Sequence, residues 1–328
     1  EFLDGFFVVN TDEKNLIASD VNNGLSWNAL NFVTVASDPE KIPSIIVVNS
    51  QLFAIGGEVT SVYSNQGASL GFPFTKLNDY EFDKGIFAPS SISKTNQSFL
   101  MIGGGRNESP AVWMFSGNGY KKVSTVAIDA MLDDFSTTEI ENAFSWTYGK
   151  RGAFFVGFTI GNKTIVYDLA SGLWHERKSV INEIETRCRI NSLVTAYSHV
   201  LVADEIDGRI GILSSNELYE YNEEIRRVVS SPNFSNGLNS MRVPMIELTV
   251  ESGAGNSNRK EPVITMDYSD DGGKTFGYER SRKIGKIGEY NKRLIWYKNG
   301  RFPRFRILRF KLSDPVDTSI IRLDADVI

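Results

Sequence analysis

Only one cysteine, Cys188, and two histidines, His175 and His199, occur among the 328 residues. The side chains that most often act as nucleophiles, proton shuttles or soft-metal ligands are therefore nearly absent. His175 lies in Leu-Trp-His-Glu and His199 in Tyr-Ser-His-Val, and neither stands in a nucleophile motif. Both read as turn or surface residues. A structural zinc site needs clustered Cys and His, which one cysteine and two distant histidines cannot supply. The lone Cys188 also excludes an intrachain disulfide and points to a cytoplasmic assembly environment rather than a secretory one. Four N-x-S/T sequons, at Asn96, Asn107, Asn162 and Asn233, are expected as chance matches in Asn- and Ser-rich turns.

Carboxylates cluster at Asp267, Asp270 and Asp271, where hard oxygen ligands could hold calcium, but the spacing is not that of an EF-hand. The same stretch fits a turn better. Ser269-Asp-Asp271-Gly-Gly273-Lys-Thr275-Phe276 matches S-x-D-x-G-x-[ST]-[WF] and resembles the Asp box of sialidase-type propellers. Asp20-Val-Asn-Asn-Gly-Leu-Ser-Trp27 looks like a degenerate second copy. In such a box the central carboxylate accepts from turn amides, glycine takes a positive φ and the aromatic packs underneath. Ser269, Asp271, Gly273, Thr275 and Phe276 are thus expected to form a structural turn. A glycan-active enzyme would need an Arg cluster and an activated Tyr with a Glu partner. Nothing marks such a set, and no catalytic, cofactor or metal residue is assigned.

Gly103-Gly-Gly-Arg106 lacks the Lys-Ser/Thr and the following helix of a phosphate loop, so it reads as a loop between strands. The charge distribution is more informative. Net charge is −5, yet residues 280–311 hold twelve of the 35 Lys/Arg and, of the 40 acids, only Glu289. A mostly acidic body with a basic tail suits subunits that dock on one another. The run also mixes basic and aromatic residues as a nucleic-acid surface would. Docking is the favoured reading, carried by Arg280, Arg282, Lys283, Lys286, Lys292, Arg293, Trp296 and Arg301.

Short β-strands must position these residues. From Phe6 to about Leu213 one unit recurs: an apolar strand, a tight turn, a second strand and a polar loop. Its copies are Phe6–Val9 with Leu16–Ser19, Ser44–Asn49 with Leu52–Gly57, Phe99–Gly105 with Ala111–Phe115, Ala153–Gly157 with Thr164–Asp168, and Val200–Ala203 with Arg209–Leu213. About five units, spaced by roughly 35 to 50 residues, fit propeller blades. Sheets apolar on both faces must be sandwiched between neighbours. The aliphatic strand followed by Gly-Gly is kelch-like, where glycines allow close approach of strands; ordinary hairpin glycines are the alternative. Val126–Phe135 has the spacing of one short helix, the only convincing one.

A polar stretch over 230–240 looks like a domain boundary. The expected organisation is all-β: a propeller over 1–228 and a β-sandwich-like module over 229–328, the expected strands being Met245–Val250, Val263–Tyr268, Leu294–Tyr297, Phe305–Phe310 and Ile320–Leu323. No stretch approaches the roughly 20 apolar residues of a membrane span, and no leader-like segment is seen. The start at Glu1, within an apolar run, suggests a missing N-terminal part.

The most distinctive run is Asp267-Tyr-Ser-Asp-Asp-Gly-Gly-Lys-Thr-Phe276, then Arg280, Lys286-Ile-Gly-Glu-Tyr-Asn-Lys-Arg-Leu-Ile-Trp296, Gly300-Arg301 and Ser313-Asp-Pro-Val316. It resembles the end of the packaged-DNA stabilisation proteins, the tail hub or nozzle subunits of short-tailed bacteriophages. Upstream, Lys84-Gly-Ile86 before two blade hairpins and Thr164–Asp168 followed by Trp174 are also similar. The resemblance implies a structural virion protein of the tail, assembled in the bacterial cytoplasm as a hexameric ring below the portal adaptor. It further implies contacts with tail fibres or spikes, DNA passing through without sequence recognition, a sixth blade completed by the missing start, and no cofactor. The alternatives are a sialidase-like glycan-active enzyme and a kelch-type binding module.

Overall fold

Wherever apolar residues alternate with others over four to eight positions, the backbone is extended, because β-branched and aromatic side chains pack well on a pleated surface. The structure is a computed structural model and describes residues 1–11, 14–35, 41–67, 71–150, 152–214, 216–237 and 239–328. The chain divides into two units, Glu1–Arg177 with Arg187–Leu213, and Lys178–Thr186 with Ser214–Ile328.

Among the described residues the first unit holds five antiparallel sheets, each built from consecutive strands. Blade one comprises Phe2–Leu3, Phe6–Asn10, Asn15–Ala18 and Phe32–Thr34; blade two comprises Ser44–Val48, Gln51–Ile55, Thr60–Asn65 and Phe74–Phe82. Blade three is Ser93–Lys94, Phe99–Gly104, Ala111–Phe115 and Tyr120–Lys122, with Gly85–Ile86 added beside Phe99–Gly104. Blade four is Phe144–Lys150, Ala153–Ile160, Lys163–Asp168 and Leu173–Glu176; blade five is Ile190–Ala196, His199–Asp204 and Ile210–Ile212. All five repeats legible in the sequence are blades of an all-β propeller.

Alternation along single strands shows why the blades stack. In Gln51–Ile55, Leu52 and Ala54 enter the core shared with blade one, while Phe53 and Ile55 enter the core shared with blade three. In Phe99–Gly104, Phe99 and Met101 face blade two, and Leu100 and Ile102 face blade four. Each inner blade therefore buries both faces, and truncating a residue such as fully buried Phe53 would cost about 3–5 kcal/mol. The two end blades differ. Phe2, Phe7, Val9 and Phe32 of blade one, and Val194, Ile210 and Ile212 of blade five, are large apolar residues left exposed.

Glycine sets the contact between blades two and three. A Cβ on Gly85 would lie 2.2 Å from the Gly57 carbonyl across the seam, and within blade three one on Gly103 would lie 1.9 Å from the Gly85 carbonyl oxygen. None of the three has a positive φ. Gly85 and Gly103 are close-approach glycines, the kelch-like alternative, rather than hairpin glycines. Across the same seam Ile86 N donates to Gly56 O at 2.9 Å, and the Thr60 hydroxyl donates to Lys84 O at 2.7 Å.

Between blades three and four the expected helix is present as α1, Val126–Asp133, its Thr125 cap accepting from Ile128 N. A second helix, α2 over Thr137–Glu141, was not expected; it starts with a reciprocal Ser136–Glu139 capping box. Ile128, Leu132 and Ile140 anchor both helices in the core shared by blades three and four.

The second unit has a four-strand path, Arg227–Ser230, Phe305–Leu312, Val263–Ser269 and Arg280–Lys283, with Phe234–Ser235 also on Phe305–Leu312. Its other three-stranded sheet is Leu294–Tyr297, Met245–Val250 and Ile320–Asp326. Ile264, Met266, Leu308 and Phe310 from the first sheet and Ile246, Leu248, Leu294 and Trp296 from the second share one core. The stretch read as a polar boundary is partly structured: Arg227–Ser230 pairs with Arg309–Leu312, and Ser231 exchanges bonds with Leu308 through its N–H and its hydroxyl.

Candidate functional site

The turn at 269–276 is closed by its own side chains. Ser269 Oγ lies 2.6 Å from Asp271 Oδ1 and accepts from Gly273 N at 2.8 Å, while Asp271 accepts from Lys274 N and Thr275 N, both at 2.9 Å, and from the Thr275 hydroxyl at 2.5 Å. The hydroxyls of Ser269 and Thr275, with these amides, hold the Asp271 carboxyl far below the usual carboxylate range. Gly272 and Gly273 have φ of 80° and 91°, in the region that favours glycine. Every acceptor position of Asp271 faces the turn itself, and Phe276 lies under the Arg309 guanidinium at 3.4 Å. At 20–27 the roles shift: the leading Asp20 accepts from the Ser26 hydroxyl at 2.5 Å, and the Trp27 indole donates to Gly24 O at 2.9 Å.

The other carboxylates of this region hold arginines. Arg306, buried in strand Phe305–Leu312, donates to both oxygens of Asp270 at 2.6 and 2.7 Å and also to Asn299 O, with its guanidinium 3.8 Å from the Tyr268 ring centroid. Asp267 receives Arg309 at 2.6 Å and Lys311 at 3.2 Å. Burial alone would raise its pKa, but those two cations outweigh burial and lower it. Asp267, Asp270 and Asp271 thus face three different partners, and among the described residues no group of His, Cys, Asp and Glu is arranged to hold a metal ion.

The docking set proves largely engaged inside its own module. Arg280 donates to Tyr297 O at 3.2 Å and to Asn299 Oδ1 at 2.6 Å, and Arg282 donates to Ile295 O at 2.6 Å, so both tie the edge of one sheet to the other. Lys283 and Lys286 meet Glu261 at 2.6 and 3.0 Å, holding its carboxyl down at about 2. Arg293 grips Glu247 at 2.7 and 2.5 Å, Arg301 donates to Ser240 Oγ at 2.9 Å, and Lys292 has only a 4.0 Å approach to Glu289. Trp296 is corrected from surface to core: it is fully buried, packed edge-on at 5.7 Å to Phe310, and donates its indole N–H to Arg280 O at 2.9 Å. No ring so enclosed can touch a neighbouring subunit.

In the propeller unit, Arg177 Nε donates to His175 Nε2 at 3.3 Å, and both burial and the adjacent Arg177 push the His175 pKa down. Cys188 is buried. Sequence reasoning missed the buried pair Arg189–Asp204, bidentate at 2.8 and 2.5 Å, which depresses the Asp204 carboxyl strongly. It also missed the Arg306–Asp270–Asn299 hub. For the hub the signal was Arg306 on the strand face that alternation assigns to the core; Arg189 lies between strands and carried no such signal.

Two family models match the sequence: one described as Bacteriophage P22 Gp10, beta-propeller, over residues 1–217, and one described as Bacteriophage P22 Gp10, beta-sandwich, over residues 226–328. The chain belongs to the bacteriophage P22 Gp10 family. It is a phage structural protein with a propeller and a sandwich, of a family found in the virion tail of short-tailed phages. No curated protein matches the sequence. Among solved structures, an exo-beta-1,3-galactanase from Phanerochaete chrysosporium is similar at 10% identity and TM-score 0.31, covering 100% of this chain and 95% of that one. A glycoside hydrolase family 43 arabinoxylan arabinofuranohydrolase from Bacillus subtilis is similar at 11% identity and TM-score 0.26, covering 98% and 75%. Likeness that weak carries no argument about activity. In this Gp10-family chain the short hairpin of Tyr219–Glu220 and Glu223–Glu224 spans the interval between the two matched regions.

Proposed function

We propose that the chain is one subunit of a hexameric ring at the tail hub, below the portal and its adaptor, which closes or stabilises the DNA exit channel and connects to tail fibres or spikes. The observation that carries this reading is the match of both modules, in order, to the P22 Gp10 propeller and sandwich. On this reading the protein catalyses nothing: the carboxylates of the Asp-box turn are engaged in holding it and its neighbours, which favours scaffold over glycan chemistry. Assembly takes place in the host cytoplasm. Acidic side chains facing the channel repel DNA phosphate so that DNA slides without being read. A sixth blade covers the apolar outer faces of blades one and five and closes the propeller.

Electron microscopy of the chain, alone and mixed with portal–adaptor complexes, tests the reading. Rings with a channel wide enough for duplex DNA are expected. A persistent monomer in every mixture would overturn it, and hydrolysis in a chromogenic glycoside screen would replace it with the enzyme reading.

A further inference from the structure

Three turns converge at one end of the sandwich. Arg306 ties Asp270 to Asn299 O, Arg280 ties Asn299 Oδ1 to Tyr297 O, and Phe305 lies beneath Gly272, so residues 270–279, 298–300 and 303–304 form a single tip. The polar hub beneath is buried and fixed; its surface is not engaged. Lys274, Lys298 and Arg304 are exposed there, and among the described residues no ion pair holds them, although almost every other basic residue of 280–311 has a partner. Tyr278, 88% exposed, and Tyr297, 58% exposed, stand beside them. Arg304 and the two tyrosines are of the types enriched at interfaces, and the unpaired lysines add positive potential that complements an anionic partner.

A matching anionic surface exists on the propeller. The insert formed by α1 and α2 contains no Lys or Arg, and Asp133, Asp134 and Glu141 are exposed on it with no partner among the described residues. All three sit at helix C-termini. There the helix dipole disfavours a negative charge, so helix stability does not account for them. Glu139, by contrast, is used in the Ser136 capping box, and Asp129 is held by Lys122 at 2.6 Å.

We infer that the Lys274–Lys298–Arg304 tip of one copy docks on the Asp133–Asp134–Glu141 face of a neighbouring copy of this chain. The inference rests on the ring reading above and names the contact through which successive subunits would join. Such a contact is heterologous, the kind that generates rings, and it weakens with salt.

The test uses two triple variants of the full chain. One carries Lys274→Glu, Lys298→Glu and Arg304→Glu; the other carries Asp133→Lys, Asp134→Lys and Glu141→Lys. All six positions are exposed, and circular dichroism with thermal melts verifies that each variant is folded. Self-association is followed by sedimentation velocity, with and without the portal–adaptor complex. Each variant alone should associate at least about tenfold more weakly than wild type, because like charges then face each other. An equimolar mixture should recover wild-type association, because each reversed tip now meets a reversed insert. Normal association of either variant alone, or a mixture no better than its parts, would overturn the contact while leaving the ring intact. Failure of the wild type to associate in any mixture would remove the ring reading and this contact with it. Loss of duplex-DNA binding in the first variant, with self-association unchanged, would reassign the tip to nucleic acid.

Discussion

Replacing Gly103 by alanine probes the close pairing of Gly85–Ile86 with Phe99–Gly104 inside blade three, the pair that meets blade two at Gly57. The new Cβ would stand 1.9 Å from the Gly85 carbonyl oxygen, whereas ordinary contact begins near 3.4 Å, so roughly 1.5 Å of backbone retreat is required. Gly85 cannot yield it, because its own Cα side abuts the Gly57 carbonyl and its neighbour Ile86 is bonded to Gly56 O. Overpacking against side chains costs about 1–3 kcal/mol, and an obstacle made of backbone belongs at the upper end. About 3 kcal/mol in a domain of this size lowers Tm by about 6–12 °C. Gly117→Ala is the control: its φ is +66° and nothing lies within 4 Å, so only backbone strain of about 1 kcal/mol is expected. Scanning calorimetry on both variants decides the matter. A Gly103→Ala melt within 2 °C of wild type, or no lower than that of the control, would refute the close-approach account.

Arg306→Gln should destabilise the sandwich by about 3–5 kcal/mol, since it strips a buried hub of its bonds to Asp270 and Asn299; an unchanged guanidinium chloride midpoint would argue against the hub. Asp271→Ala should loosen the 269–276 turn and speed amide exchange at Lys274 and Thr275, the donors that lose their acceptor, and unaltered exchange there would mean the carboxylate does not hold the turn. Acid should unfold the protein in a definite window. Asp204, Asp271, Asp267 and Glu261 all have folded pKa values below their unfolded ones, so the stability they confer is complete above about pH 4 and is lost as pH falls through the depressed values, Glu261 at about 2. A Tm that stays flat from pH 5 to pH 2 would contradict those pairings. In residues 1–328 taken alone, the exposed outer faces of blades one and five should bind a hydrophobic dye, and Phe7→Gln with Phe32→Gln should reduce that signal without lowering Tm appreciably.

Blade after blade was legible because its signal is local: alternation within five to eight residues and a turn of two or three, as in Ala153–Ile160 leading through Gly161 into Lys163–Asp168. The helix α2 was not, because five residues are too few for a 3.6-residue period to declare itself, and only Ser136 with Glu139 announced it. That much of the basic run is paired within the module was hidden for the opposite reason, range. Lys283 and Lys286 find Glu261, Arg293 finds Glu247, Arg306 finds Asp270 and Arg309 finds Asp267, partners 22 to 46 positions away that strand pairing brings alongside. A one-dimensional charge count cannot see such neutralisation. Trp296, however, was readable: in Leu294-Ile-Trp-Tyr297, alternation puts the indole on the same face as Leu294, and the core claims both.

The same reasoning explains where uncommitted charge survives. A basic residue on a strand is carried by pairing against whatever the neighbouring strand presents, and in an antiparallel sheet an opposite charge there is worth keeping, so Arg309 stands opposite Asp267. A residue in a turn has no cross-strand neighbour and is under no such constraint. Lys274, Lys298 and Arg304 are all in turns, whereas Arg280, Arg282, Arg306 and Arg309 are on strands and all have partners within the module. Much of the charge on the strands therefore builds the sandwich, while the three turn cations of the tip are left without an ion pair among the described residues.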